Sequence, residues 1–79
     1  MSLKLTSAEK KLMAELLIGS KSEMVRNPFS GEGVELCPEA VAVYDLIKGA
    51  ERLGDHDNVQ TGLNIFMKNW PAEYMILLD

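Results

Sequence analysis

Apolar and polar positions alternate along the chain with helical periods in three places. Leu12, Met13, Leu16 and Leu17 fall on one side of a helix, with Glu9, Lys10, Lys11 and Glu15 on the other. Thr6 and Glu9 have the spacing of a capping box, so this helix is expected from about Ser7 to Ile18. Gly19-Ser20 weakens it. Ser20-Lys21-Ser22-Glu23 reads as a second capping box, giving a kink or helical restart that carries Met24 and Val25. Asn27-Pro28 ends that restart, because a residue before proline disfavours helical geometry.

The second stripe is Ala40, Val41, Val43, Tyr44, Leu46, Ile47, Ala50 and Leu53. Pro38 suits a first helical position, where its missing N–H costs nothing, and Cys37 becomes the cap residue. Gly54 is placed as the left-handed stop. More than half of this helix's circumference is apolar, which predicts a central helix packed on two sides. The third stripe is Val59, Leu63, Phe66, Met67 and Trp70, with Asp57 or Asn58 as its cap. Gly62 lies beside that face and permits close approach of another helix. Pro71 opens a last short helix whose apolar side is Tyr74, Leu77 and Leu78.

Between the first two stripes lies an irregular segment, residues 27–37, with Pro28, Gly31 and Gly33 as breakers. Phe29, Val34 and Leu36 are expected to pin it to the core. An extended stretch at Val34–Leu36 has no second strand to pair with in this reading. The fold class is therefore all-α: a small bundle of four to five helices with a central helical hairpin and one ordered loop. Residues 1–79 make one domain, with 1–5 expected to be flexible.

Composition narrows the function. The chain has 79 residues and a net charge of −4, with its eight Lys and Arg scattered rather than clustered. That pattern argues against a nucleic-acid binder. The longest apolar run, Met75 to Leu78, is far short of the ~20 residues of a membrane span. The start of the chain lacks the apolar core of a secretion signal, and a single cysteine suits a reducing compartment. A cytoplasmic protein is expected.

Candidate chemistry is sparse. Asp55, His56 and Asp57 are adjacent residues better explained as a turn and a cap than as metal ligands. Cys37, at a helix start, is a candidate nucleophile, and with His56 it supports an alternative reading as a small thiol-dependent enzyme or factor. Glu32, Glu35 and Glu39 form a candidate acidic patch around the irregular segment. Gly31-Glu32-Gly33 is too short and too acidic to cradle a phosphate. Trp70, Phe66, Tyr44 and Tyr74 lie on apolar stripes and are expected in the core. No cofactor, metal or catalytic residue is expected.

Two resemblances follow from particular residues. The second helix, Gly54-Asp55, the third helix and Pro71 resemble a single tetratricopeptide-like helical hairpin. Val59, Phe66 and Ile47 depart from that repeat's small-residue pattern, and one unit makes no solenoid. The resemblance implies hairpin geometry alone. The segments Asn27-Pro28-Phe29-Ser30-Gly31, Cys37-Pro38-Glu39-Ala40-Val41-Ala42-Val43-Tyr44-Asp45 and Trp70-Pro71-Ala72-Glu73-Tyr74 resemble small uncharacterised proteins of tailed bacteriophages. That resemblance covers roughly residues 7–79. It implies an accessory protein in a bacterial host's cytoplasm and carries no assigned activity.

The expected function is non-enzymatic: a protein-interaction module binding a host or phage protein, with homo-oligomerisation as a further expectation. The apolar breadth of the second helix, the need of the C-terminal Met75–Leu78 for a cover and the methionine content motivate self-association. The residues expected to carry the protein contact are Phe29, Glu32, Val34, Glu35 and Leu36.

Overall fold

The computed structural model describes residues 3–16 and 18–78. Among these residues the chain runs α1 (Ser7–Glu15), β1 (Glu23–Arg26), β2 (Gly33–Leu36), α2 (Pro38–Leu53), α3 (His56–Asn69) and α4 (Pro71–Leu77). The four helices agree with the periodic stripes. The two antiparallel strands correct the all-α expectation.

The correction has a local cause. Only Met24, Val25 and Arg26 separate Glu23 from the Asn27-Pro28 break, too few residues to repay the cost of nucleating a helix. As a strand, the same residues satisfy their backbone groups by pairing with Gly33–Leu36. Val25 stands opposite Val34, and Met24 opposite Glu35. The partner that Val34–Leu36 lacked in the sequence reading is thus the segment expected to be helical. Side-chain alternation then places Val25, Val34 and Leu36 on the core side and Met24 and Glu35 on the outer side. Met24 folds across the outer side toward Gly33: its Sδ would lie 3.4 Å from a Cβ added there.

α1 ends at Glu15, with Leu16 already extended. Its capping box forms as expected: the Glu9 N–H donates to Thr6 Oγ1, and the Thr6 N–H donates to Glu9 Oε1. Leu17, a member of the expected stripe, lies outside the described residues, and Ile18 is exposed. Residues 3–5 are bonded to and packed on the helical body. The Lys4 N–H donates to Asn69 Oδ1, Asn69 Nδ2 donates to the Lys4 carbonyl, and Leu3 and Leu5 pack on the core.

α2 is the central element. Ala40, Val43, Ile47 and Ala50 are buried at the i, i+3, i+4 spacing of one helical face. Cys37 is its N-cap and Pro38 its first residue, and Gly54 closes it in the left-handed region at φ 71°. Leu53, counted as apolar core in the sequence, is instead 85% exposed. It belongs to the last turn of α2.

α3 starts two to three residues earlier than expected. Asp55, not Asp57 or Asn58, caps it by accepting from the Asn58 N–H. Its buried face is Gly62, Ile65 and Phe66, while Met67 is exposed. A stripe counted from large apolar side chains is drawn off-centre here, because Gly62 supplies the closest contact with no side chain at all. A Cβ at Gly62 would lie 2.6 Å from Ile47 Cγ1. The aromatic residues close the core: the Phe66 ring centroid is 6.5 Å from Tyr44 and 5.4 Å from Trp70, both tilted.

Candidate protein-binding surface

The tip of the β-hairpin is built by Asn27. Its side-chain Oδ1 accepts from the Phe29 N–H at 2.8 Å and the Ser30 N–H at 3.3 Å, a side-chain mimic of a backbone turn. Its main-chain N–H donates to the Glu32 carbonyl and its carbonyl accepts from the Gly31 N–H. Gly31 turns the chain at φ 79°, and the Arg26 guanidinium donates to the Gly31 carbonyl. Asn27 Nδ2 reaches across the molecule to the Ile76 carbonyl of α4, at 2.9 Å. The tip is therefore bonded within itself and fastened to the helical body.

This rigid tip presents Phe29. The ring was expected to pin the segment to the core, but it is 97% exposed. Val34 and Leu36 pin the segment to the core as expected. Leu36 is 1% exposed and packs among the core residues. Of the five residues expected at a protein contact, Phe29, Glu32 and Glu35 are exposed and Val34 is half-buried. Leu36 supports the surface from below and is not on it. Glu39, the third member of the candidate acidic patch, lies in the first turn of α2 and lines a separate cleft.

Phe29 stands at the rim of a cleft of about 380 Å³. Val59, Leu63, Leu77 and Leu78 give it apolar walls, and Lys48 and Glu51 stand on its edge. Those two charges form an ion pair at 3.6 Å on the surface of α2. Sequence reasoning missed both Asn27's role and this cleft. The Asx-turn chemistry of Asn27 was available from its residue type and the following Pro28 and Gly31. The bond to Ile76 and the meeting of α3 with α4 beside the tip were not, since they join distant parts of the chain.

The residues of the alternative thiol reading do not come together. Cys37 caps the start of α2, and His56 follows its end. A 16-residue helix separates them by about 24 Å. Cys37 borders a cleft of about 590 Å³ with Leu3, Glu39, Lys68 and Trp70. Lys4 and Lys68 also line it, and Lys68 already donates to Glu9 at 2.5 Å. That bond, with the further bonds from Thr6, holds the Glu9 carboxyl below its usual pKa against the opposing effect of burial. Asp55 spends both carboxylate oxygens on Asn58. Among the described residues no group of three His, Cys, Asp or Glu is placed to hold a metal ion. No helix among them is long and apolar enough to cross a membrane.

Compared with protein-family models, curated proteins and solved structures, the chain matches none.

Proposed function

We propose that this protein is a non-enzymatic interaction module that binds another protein through the tip of its β-hairpin. The observation that carries the reading is Phe29: an aromatic side chain 97% exposed on a turn whose backbone is bonded in place. A lone exposed aromatic on a mobile loop would have an unremarkable explanation. Here the ordering cost of the loop is already met within the fold, which is the property of an efficient contact. Aromatic anchors of this kind dominate the energetics of protein interfaces. Glu32 and Glu35 flank it with negative charge suited to the rim of such a contact. The resemblance to small tailed-bacteriophage proteins supports placing it as an accessory protein in a bacterial host's cytoplasm, with a host or phage protein as partner.

The test is affinity capture from bacterial lysate with the native chain and with a Phe29→Ser, Glu32→Lys, Glu35→Lys variant. Partners held by the native chain should be lost by the variant. If the variant captures the same proteins in the same amounts, the hairpin tip is not the contact surface.

A further inference from the structure

We infer that residues 3–16 form a strap that releases from the rest of the fold as one unit and, on leaving, uncovers Cys37 and Trp70. The strap lies apart from the hairpin tip, so the inference does not depend on how the tip is used. Three observations carry it.

The first is burial. Of the nine residues of α1 only Glu9 and Met13 are buried. The other apolar groups of the strap that pack on the core, Leu3, Leu5, Leu12 and Leu16, are half-buried. Nine residues are too few to hold a helix in water without tertiary packing, so undocking and unfolding of α1 are one event. Elements with few buried apolar contacts lie at the low end of local stability.

The second is the fastening. Two consecutive residues at the end of α3 hold the strap at two points. Lys68 donates to Glu9 Oε1, the same oxygen that accepts from the Thr6 N–H. Asn69 accepts from the Lys4 N–H and donates to the Lys4 carbonyl. All of these groups can exchange their partner for water at a small net cost. Residues 18–22, between the strap and β1, are exposed and form neither helix nor strand. The strap can therefore leave without disturbing β1, which is held by its pairing with β2.

The third is cover. Leu3 and Lys4 line the same cleft of about 590 Å³ as Cys37 and Trp70. When the strap leaves, that side of the cleft goes with it, and the half-buried thiol of Cys37 is laid open.

Native-state hydrogen exchange at low urea, paired with the rate of Cys37 labelling by iodoacetamide, tests this. In the native chain the amides of residues 10–15 should open together, about tenfold or more often than those of Ile47 and Phe66. Glu9→Gln keeps an acceptor for the Thr6 N–H and removes the ion pair with Lys68. It should raise α1 opening and Cys37 labelling together by about fivefold. Ile47→Val weakens the core where α2 meets Gly62, and should raise the opening of the core amides while leaving α1 and the Cys37 rate unchanged. Equal acceleration of α1 by both variants would mean that α1 opens only when the whole chain unfolds, which overturns the inference. So does a Glu9→Gln variant whose α1 amides keep the native rate, or a Cys37 rate that fails to follow α1.

Discussion

The helical hairpin α2–α3 and the β-hairpin β1–β2 are both simple two-element units, yet they are held in place by different physics. In the helical hairpin the bonds of each helix are internal, so what joins the two is packing. Val43, Ile47, Ile65 and Phe66 are fully buried between and beside them, and Gly62 lets the backbones close on Ile47. In the β-hairpin the backbone bonds themselves join the elements, and few side chains are buried. Leu36 anchors one strand to the core, and Asn27 fastens the turn to α4 through a single side-chain amide. The lesson is a division of labour. Burial makes the first unit stable and commits Val43, Ile47, Ile65 and Phe66 to the core. Polar bonding makes the second unit rigid and leaves Phe29 free to meet a partner.

If that division is right, substitutions should sort by region, and equilibrium unfolding in urea on dilute protein is the measurement that ranks them. Phe66→Ala removes a ring packed between Tyr44 and Trp70 and should cost about 3–5 kcal/mol. A domain of this size has roughly 4–12 kcal/mol in total, so this variant should lie near or past the folding limit. A loss below about 1 kcal/mol would mean that the aromatic cluster is not the keystone of the helical unit.

Gly62→Ala sharpens the same point by adding one methyl. In an exposed helix the change would gain about 1 kcal/mol of helix propensity. Here the new Cβ meets Ile47 Cγ1 at 2.6 Å, and Ile47 is fully buried with no room to yield. A net loss of about 1–2 kcal/mol is expected from overpacking. A stabilised variant would show the two helices to be further apart than described.

Asn27→Ala attacks the other unit. It removes the turn acceptor and the bond to Ile76, leaving that carbonyl unpaired, and should cost about 1–2 kcal/mol. Amide hydrogen exchange should rise at Phe29 and Ser30 and stay unchanged in α3. Equal loosening in both regions would erase the distinction between them.

The Glu9–Lys68 pair tests the body of the fold through pH. Glu9 has a folded-state pKa below its ordinary 4.5, first because Lys68 bonds to the charged carboxylate. Its contribution is therefore fully present above about pH 4.5 and disappears as pH falls through the folded-state value. Lys68 is partly solvated, so the contribution is set at about 1 kcal/mol rather than that of a sealed pair. Glu9→Gln keeps an acceptor for the Thr6 N–H and loses only the charge. It should be less stable than the native chain at pH 7 by about that amount and converge with it in acid. A constant gap across the acid range would assign the effect to packing.

Phe29→Ser should have the smallest effect on folding, within about 0.5 kcal/mol, because the ring touches almost nothing within its own chain. The contrast with Phe66→Ala is the sharpest single comparison available: the same residue type, one region apart, with one change acting on stability and the other on association.

Much of the helical unit could be read from the residues. Thr6 and Glu9, Pro38 and Gly54 specify helix ends by chemistry that acts over three or four positions, and each acts in the fold as its type requires. The candidate surface was legible only in outline. The segment 27–37 stood out by its breakers, and Phe29, Glu32 and Glu35 lie on the surface it forms. Whether Phe29 or Leu36 would be the anchor was not decided locally, since both are large, apolar and flanked by turn residues. Their fates follow from a strand register and from a turn fastened by the hydrogen bond that the Asn27 side-chain amide donates to the Ile76 carbonyl.

The sequence by itself determined that α1 starts after Thr6, that α2 runs from Pro38 to the stop at Gly54, and that α4 opens at Pro71, because capping and amphipathic periodicity are short-range properties carried by neighbouring residues. Tertiary structure alone decided that Glu23–Arg26 is a strand, that Gly62 is the centre of a packed face, and that a cleft opens beside Phe29. Each of those depends on a partner in another element, and four residues with no stripe of their own take the conformation that their partner's unpaired backbone rewards.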